Sequence, residues 1–221
     1  MNHSEPAELR QPYEGAPLRR ADMAAHPMEQ FHTWFTQAHT AGLAEPNAMV
    51  VATVEPDGAP RARTVLLKGY DRSGLRFFTN YGSRKGRALA DEPRLAAVFP
   101  WHAIRRQVLV RGRGERLTDA ENDAYFRTRP RGSQIGAWAS ERQSGRVADR
   151  GELDALYAEF GDVWSGGEEI PRPAYWGGYR VQVEEVEFWQ GRADRMHDRF
   201  RYTLATGGPE DGVWELDRLA P

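Results

Sequence analysis

The chain has 221 residues, of which 40% are hydrophobic and 11% aromatic, so it is long enough for one large domain with a packed core. Lys+Arg 30 against Asp+Glu 32 gives a net charge of -2, which excludes the general positive field that attracts nucleic acid. The count of cysteines is 0, which excludes disulfides, thiolate catalysis and cysteine metal sites and predicts a reducing, cytoplasmic location.

The N-terminal segment 1–25 is polar and rich in proline. Residues 1–20 carry charges of both signs and no apolar core, so we expect neither a signal peptide nor a membrane span there. We interpret 1–25 as a mobile arm and 26–221 as a single domain. His26 and Pro27 predict the start of an amphipathic helix that ends near Gly42, because apolar residues recur at helical spacing between them.

From residue 48 onward the sequence has the pattern of β-strands. Consecutive strands joined by short turns, at both ends of the chain and with few helices between, predict an antiparallel β-barrel rather than a βαβ sheet. The fold class is therefore mainly β, a barrel with flanking helices. Strands are predicted at 48–54, 61–68, 75–80, 95–99, 107–117, 179–188, 195–205 and 213–219, and helices at 83–91, 118–128 and 150–160.

Smaller signals refine these elements. Thr118 and Glu121 have the spacing of a capping box at a helix start. Gly112 and Gly114 predict a bulge or a sharply coiled strand. In the strand at 179–188 the apolar alternation shifts phase across residues 184–185, which also predicts a bulge.

A cationic row near the C-terminus is the first candidate for chemistry. If residues 195–200 are extended, Arg195, His197 and Arg199 share one face, close in sequence to Trp189. Guanidinium groups pair with phosphate or carboxylate and stack on flat rings, so the row suits a planar anionic ligand. A solvated strand face with alternating charges is the alternative.

A second cationic cluster combines Arg61, Arg63 and Lys68 with Arg84 and Lys85 at a helix start. Cations in a first helical turn oppose the helix dipole, whereas a phosphate there is stabilised by the dipole and by free backbone N–H groups. An anion bound at this point explains the two basic residues. Two solvated basic residues at a helix end are the alternative.

A third cluster lies between two predicted helices, where two guanidinium groups, a hydroxyl and a flexible glycine suit a phosphate. A role of Ser133 as an N-cap alone is an equal alternative. No hydrolytic constellation or metal-ligand spacing accompanies the three clusters, so a cofactor is expected to carry the chemistry. The cluster consists of Tyr125, Arg127, Arg129, Arg131, Ser133 and Gln134.

These clusters lie within motifs that together resemble the pyridoxamine (pyridoxine) 5'-phosphate oxidase family, from about residue 9 to the last residue and in the same order. The segment 139–142 is one residue longer than the family pattern, and the loop 207–212 is also longer. The motifs are PNAMVVATV at 46–54, RTVLLK at 63–68, TN at 79–80, GSRK at 82–85, FPWH at 99–102, RPR at 129–131, SQIGAW at 133–138, WGG at 176–178, FWQG at 188–191, RMHDRF at 195–200 and DRLAP at 217–221.

The resemblance implies a split β-barrel homodimer with FMN at the subunit interface and each site built from both chains. One chain is expected to bind FMN through Arg63, Thr64, Val65, Leu66, Leu67, Lys68, Phe78, Thr79, Arg84, Lys85 and Gln107. The other chain is expected to contribute Gln143, Ser144, Trp189 and Arg199.

The same resemblance implies oxidation of pyridoxine 5'-phosphate and pyridoxamine 5'-phosphate to pyridoxal 5'-phosphate, with O2 as acceptor and H2O2 as product. Its catalytic residues are expected to be Arg195 and His197, at the pyridine ring. Arg10 and Tyr13 are expected to bind substrate as a lid. The substrate phosphate is expected at Lys68, Tyr125, Arg129 and Ser133.

Two other functions fit parts of the pattern. A flavin oxidase of the phenazine type keeps FMN binding but accepts another ring system. The joint presence of six residues argues against it: Lys68, Tyr125, Arg129, Ser133, Arg195 and His197. A non-catalytic flavin-binding protein on the same fold is the other alternative, and no membrane or nucleic-acid partner is expected.

Overall fold

A computed structural model describes Tyr13 and residues 16–221 of the chain. The described residues form nine strands and five α-helices in the order that the sequence predicts. A short strand at 69–71 is additional, and the helix at 131–139 begins within the third cationic cluster. The strands are β1 (Ala48–Val54), β2 (Pro60–Leu66), β3 (Gly69–Asp71), β4 (Gly74–Asn80), β5 (Arg94–Trp101), β6 (Arg106–Arg116), β7 (Trp176–Gln190), β8 (Asp198–Thr206) and β9 (Val213–Leu219). The helices are α1 (Pro27–Thr40), α2 (Arg84–Asp91), α3 (Asp119–Thr128), α4 (Arg131–Ala139) and α5 (Arg150–Val163).

Local sequence signals explain where the helices begin. The His26 ring accepts a hydrogen bond from the Met28 backbone N–H, and Pro27 occupies the first turn of α1, where no N–H partner is needed. Thr118 and Glu121 form the predicted capping box at α3. Pro130, not Ser133, is the N-cap of α4, so the interpretation of Ser133 as a cap is wrong.

All strand pairs are antiparallel, and the sheet runs in the order β2-β1-β5-β6-β7-β4-β3. Strand β7 is long enough to pair with β4 through its first half and with β8 through its second half. Beyond the end of β2, the Lys68 N–H donates to the Arg76 carbonyl oxygen on β4 at 2.8 Å. The predicted mainly β, antiparallel class with flanking helices is confirmed, and the sheet is a curled half-barrel.

The predicted bulge is present. Arg111 on β6 pairs with Glu185 on β7, whereas the next residue, Gly112, pairs with Val183, so Glu184 is the extra residue. A side chain at Gly112 would meet the Gln182 carbonyl oxygen at 2.1 Å, which explains why glycine stands opposite the bulge.

The main core lies between α1 and the concave face of the sheet. Phe31 and Trp34 of α1 are 0% and 2% exposed, and they pack against Phe99 on β5 and Phe188 on β7. Residues 16–25 cover the far end of this core: Leu18 is buried, and its N–H donates to the Asp198 carboxylate at 3.0 Å. A smaller apolar cluster joins α3 and α4 to Trp176 at the start of β7.

The C-terminal alternation is the main error of the sequence analysis. Residues 193–195 form a turn of 3-10 helix, Asp194 and Arg195 have φ values of 54° and 60°, and β8 begins only at Asp198. Arg195, His197 and Arg199 therefore do not form one strand face. Positive φ in two consecutive non-glycine residues requires tertiary support, which no local pattern reveals.

Candidate active site

A cavity of about 550 Å³ opens between the curled sheet and helices α2, α3 and α4. This volume lies within the usual range for a site that binds a small organic ligand. The cavity is lined by Val65, Leu66, Lys68, Phe78, Thr79, Asn80, Lys85, Tyr125, Thr128, Arg129, Pro130, Ser133, Gly136, Ala137, Ser140, Gln143 and Trp176.

One end of the cavity carries the groups predicted to hold a substrate phosphate. Tyr125 comes from α3, Arg129 from the residue after that helix, Ser133 from the first turn of α4, and Lys68 from the end of β2. Four residues spread over 66 positions of the sequence, from 68 to 133, thus meet at one place. The corner between α3 and α4 packs on Trp176 and Phe78, and this packing brings the residues of the two helices to the cavity.

The Arg129 guanidinium is held without a counter-ion in the part of the chain that the structure describes. It lies over the Trp176 ring, 4.5 Å from the centroid, and its buried Nη1 has no hydrogen-bond partner among the described residues. Burial lowers the pKa of Arg129, partly offset by Tyr125, and burial raises the pKa of Tyr125, partly offset by Arg129. A buried, unsatisfied cationic donor is the feature that an anionic ligand would complete.

A second group of cations lies behind the cavity, around Arg63 on β2. Its Nη1 donates to the Val51 carbonyl oxygen at 3.2 Å and to Thr53 Oγ1 at 2.8 Å. Its Nη2 is buried, and within the described residues it has no partner. Burial is the main cause that lowers the pKa of Arg63, while Glu55 raises it and Arg61 lowers it further.

Lys85 extends this cluster from the first turn of α2 into the cavity. Its Nζ donates to Thr79 Oγ1 at 3.0 Å, and burial, followed by the charge of Arg63, lowers the pKa of Lys85. Arg63, Thr79 and Lys85 therefore form a half-buried cationic cradle beside the cavity. Like charges kept this close together are costly unless an anion neutralises them.

Arg84 takes part differently from Lys85. Its side chain pairs with the Glu55 carboxylate, with Nε 3.0 Å from Oε2, while its backbone N–H donates to Ser144 Oγ at 3.3 Å. Gln143 lines the cavity. Both residues predicted on the 143–144 segment thus lie beside the first turn of α2, although the segment 139–142 carries an extra residue. Within the described chain, Ser144 contacts Arg84 and Gln143 shares the cavity with Lys85, and the contribution of both residues to the partner's FMN site stays a prediction.

A separate group occupies the outer face of β6, β7 and β8. Gln107 pairs with Trp189, and Trp189 pairs with Arg199, so the three residues form a row across neighbouring strands. The sequence analysis grouped Gln107 with the cavity residues of the same chain, but the strand register places it with Trp189. Arg199 donates to Glu187 through Nε at 2.7 Å and Nη2 at 3.0 Å.

His197 and Tyr13 pack on Trp189 in this outer group. The ring centroids of His197 and Trp189 are 4.5 Å apart, and Tyr13 meets Trp189 edge-on at 6.1 Å. The His197 Nδ1 accepts the Arg192 backbone N–H at 3.1 Å, which puts the proton of the neutral ring on Nε2. Burial, and then the charge of Arg195, lower the pKa of His197 below 6.5.

The remaining predicted residues divide between these places. Within the described residues, Thr64 and Leu67 do not line the cavity: Thr64 is exposed and Leu67 is buried in the core. Arg195 is exposed in its turn beside His197. Arg10 lies outside the described residues.

Seven of the described cavity-lining residues were not predicted as site residues. Two of them, Asn80 and Trp176, are almost fully buried, and they entered the sequence analysis only as members of the motifs TN at 79–80 and WGG at 176–178. Trp176 stacks on Phe78 at 5.3 Å between centroids and lies 4.5 Å below the Arg129 guanidinium. Nothing in the local pattern around either residue distinguishes it from an ordinary core position.

In the described part of the chain, no helix combines the length and the apolar character needed to cross a membrane.

Comparison with known proteins gives matches over most of the chain. The family model described as pyridoxamine 5'-phosphate oxidase matches residues 35–164, and the model described as the pyridoxine 5'-phosphate oxidase C-terminal dimerisation region matches residues 176–221. Relatives named pyridoxine/pyridoxamine 5'-phosphate oxidase are similar along nearly their whole length. The relative from Thermobifida fusca is 66% identical with 100% of both chains covered, and that from Streptomyces avermitilis is 49% identical with 98% of this chain and 96% of the relative covered.

A solved structure is also similar. The crystal structure of PhzG from Burkholderia lata 383, in complex with tetrahydrophenazine-1-carboxylic acid, has a TM-score of 0.86 at 29% identity. It covers 96% of this chain and 100% of its own.

Proposed function

Because the chain belongs to the pyridoxamine 5'-phosphate oxidase family, we propose that it oxidises pyridoxine 5'-phosphate and pyridoxamine 5'-phosphate to pyridoxal 5'-phosphate, with FMN as cofactor, O2 as acceptor and H2O2 as product. The observation that carries the proposal is the unpartnered buried Nη1 of Arg129, beside Tyr125 and Ser133, among the described residues of the cavity. This end of the cavity suits the phosphate that both substrates share. We place the reaction in the cytoplasm, as expected from the cysteine-free sequence.

The residues present fit FMN. The Arg63 Nη2, buried and without a partner in the described chain, lies in a cradle with Lys85 and the first turn of α2, which suits the flavin phosphate. Val65, Leu66 and Phe78 give the cavity the flat apolar wall that a ring system needs. When bound, FMN supplies the acceptor for the substrate hydride and then passes the electrons to dioxygen.

The chain itself contributes position and charge. Lys68, Tyr125, Arg129 and Ser133 hold the substrate phosphate, which fixes the pyridine ring in the cavity and converts an encounter into an oriented contact. Arg195 supplies a positive charge that stabilises electron density on the hydroxyl oxygen attached to the pyridine ring. His197, neutral with its proton on Nε2, offers a donor beside Arg195.

The functional unit is a homodimer in this proposal. Arg195, His197, Trp189 and Arg199 lie on the outer face rather than in the cavity of the described chain, so a second copy would supply them. The family model for the C-terminal dimerisation region covers these residues and supports this arrangement. Tyr13, held against Trp189 and His197, and Arg10 would cover the substrate from this side as a lid.

An apolar surface on the same face of the sheet favours this dimer. Val50, Val98 and Leu109 lie side by side across β1, β5 and β6, each partly exposed. The next row of the sheet leads from Pro100 to Gln107 and Trp189. A contiguous apolar patch beside functional side chains is typical of a protein interface.

Anaerobic reduction tests the proposal. Purified protein with a flavin spectrum is mixed with pyridoxine 5'-phosphate without oxygen. We expect the visible absorption band of the flavin to bleach and to return on admission of air. Pyridoxine without its phosphate is the control, because it cannot use Arg129. A yellow protein that does not bleach would instead be a non-catalytic flavin-binding protein, and bleaching by a dihydrophenazine substrate alone would indicate the phenazine type.

A further inference from the structure

Asn80, the last residue of β4, is 1% exposed and lies at the inner wall of the cavity. Its side-chain nitrogen donates to two carbonyl oxygens, that of Ser140 at 2.8 Å and that of Glu141 at 2.9 Å. Its side-chain oxygen accepts the Gly82 backbone N–H at 2.7 Å. One buried amide thus makes three hydrogen bonds to two different segments.

The orientation of the Asn80 amide is determined by these partners. The reversed amide would set its oxygen against two carbonyl oxygens and its nitrogen against an N–H group. Only an amide provides two donors and one acceptor in this geometry. An aspartate of the same shape would replace both donors with a carboxylate oxygen that the two carbonyls repel.

The two joined segments carry the proposed cofactor residues. Gly82 precedes Ser83, the N-cap of α2, and α2 begins with Arg84 and Lys85. Residues 140–145 form the turn after α4, where the Gln143 N–H donates to the Ser140 carbonyl oxygen that Asn80 also binds. Ser144 Oγ meets the Arg84 N–H at 3.3 Å.

We propose that Asn80 is a positioning residue that holds the 140–145 turn against the first turn of α2 and so sets Gln143 and Ser144 beside the cationic cradle. The part that concerns FMN rests on the function proposed above. Asn80 does not have to contact the cofactor in this role, because it acts through the backbone of the turn. Besides its hydrogen bonds to the preceding helix α4, two other polar contacts of the turn are Ser144 Oγ on the Arg84 N–H and the Arg142 ion pair with Glu152.

The test compares Asn80→Asp with Asn122→Asp in the full-length chain. Asn122 is a matched control, since it is also 1% exposed, donates to Tyr81 Oη and the Leu117 carbonyl oxygen, and accepts the Gly178 N–H at 2.7 Å. Both variants lose the same set of donors at the same depth of burial. Only Asn80 contacts the turn.

Hydrogen exchange of the cofactor-free protein measures directly whether Asn80 holds the 140–145 turn. We expect the Gln143 and Gly145 amides to exchange about tenfold faster in Asn80→Asp than in wild type, because a buried pair of hydrogen bonds is lost. In Asn122→Asp these amides should keep the wild-type rate. Equal rates in Asn80→Asp and wild type, or equal acceleration in both variants, would overturn the proposal.

FMN titration of the same samples, followed by flavin fluorescence, measures the consequence. We expect the Kd for FMN to rise about tenfold in Asn80→Asp and to change little in Asn122→Asp. If the turn exchanges faster in Asn80→Asp but the Kd for FMN is unchanged, Asn80 does not position residues that bind the cofactor. If wild type itself binds no FMN, the proposed function is wrong. The exchange rates still test whether Asn80 holds the 140–145 turn.

A second variant covers the case in which Asn80→Asp does not fold. Asn80→Ser introduces no charge and is too short to reach both carbonyls. It should give the same local acceleration at Gln143 and Gly145. If these amides exchange in Asn80→Ser as slowly as in wild type, Asn80 does not hold the turn.

Discussion

The rings of Phe78 and Tyr125 stack face to face, with centroids 3.8 Å apart and planes 15° from parallel. Phe78 belongs to β4 and Tyr125 to α3, so the stack joins the sheet to the helical corner of the cavity. Trp176 extends it, parallel to Tyr125 within 4°. The stack presents the Tyr125 hydroxyl to the cavity on a support of three aromatic rings.

Removal of that hydroxyl should weaken substrate binding alone. Tyr125→Phe keeps the stack but loses a donor to the phosphate, so we expect KM for pyridoxine 5'-phosphate to rise about tenfold or more, with the Kd for FMN unchanged. Steady-state kinetics and flavin titration measure the two effects. Tyr157→Phe, on α5 and outside the cavity lining of the described chain, is the control. An unchanged KM in Tyr125→Phe would contradict the assignment.

Arg129 should contribute strongly to substrate binding and little to the stability of the fold. Its guanidinium is partly desolvated without a counter-ion among the described residues, so Arg129→Met should change the free energy of unfolding of the ligand-free protein by no more than about 1 kcal/mol, in either direction. KM for the phosphorylated substrate should rise about 100-fold, because a charged donor is lost. Urea unfolding and kinetics test both parts. Severe destabilisation with a normal KM would show that Arg129 is structural.

Arg195→Leu should separate chemistry from cofactor binding. Loss of a charge that stabilises the transition state should lower kcat about 100-fold or more, while the FMN content after purification stays near that of wild type. Arg94→Leu, an exposed arginine on β5, is a control that should change neither quantity. Equal losses of turnover and of FMN in Arg195→Leu would refute a catalytic role.

His197 should titrate below its ordinary pKa of 6.5, since burial and the charge of Arg195 both disfavour the charged ring. The stabilising effect of the neutral ring is then fully present above pH 6.5 and is lost as the pH falls through the lower folded pKa. NMR titration, assigned with His197→Gln, should show this pKa and its increase in Arg195→Leu. A higher pKa in wild type than in Arg195→Leu would contradict the prediction.

His26 should stabilise the fold through both ring nitrogens. Nδ1 caps α1 and Nε2 lies 2.9 Å from the Pro209 carbonyl oxygen in the hairpin loop, so His26→Ala should lower the free energy of unfolding by about 2 kcal/mol. His26→Asn should recover the cap and lose only the contact with Pro209. His39→Ala, exposed near the other end of α1, should cost little. Urea unfolding measures all three, and equal costs for His26→Ala and His39→Ala would exclude the cap.

Local signals predicted most of the fold because each depends on near neighbours in sequence. Thr118 and Glu121 meet within one helical turn, and the phase shift around Glu184 follows from the two-residue repeat of a strand. The strand predicted at 61–68 ends earlier, at Leu66, since the N–H groups of Leu67 and Lys68 turn to Asn47 and Arg76. The earlier end of the strand depends on hydrogen-bond partners 20 and 8 residues away, and the periodicity of the sequence carries no information about such partners.

The sequence by itself determined the mainly β fold, the starts of α1, α2, α3 and α5, and the residue types available for binding anions, because composition, periodicity and capping act over short distances. The tertiary structure alone decided which of those residues meet. Curling of the sheet brings Lys68 to Arg129 in one cavity, while strand register carries Gln107 and Arg199 to an outer face with Trp189. Asn80 gains its role only there, since its hydrogen bonds join residues about 60 positions apart.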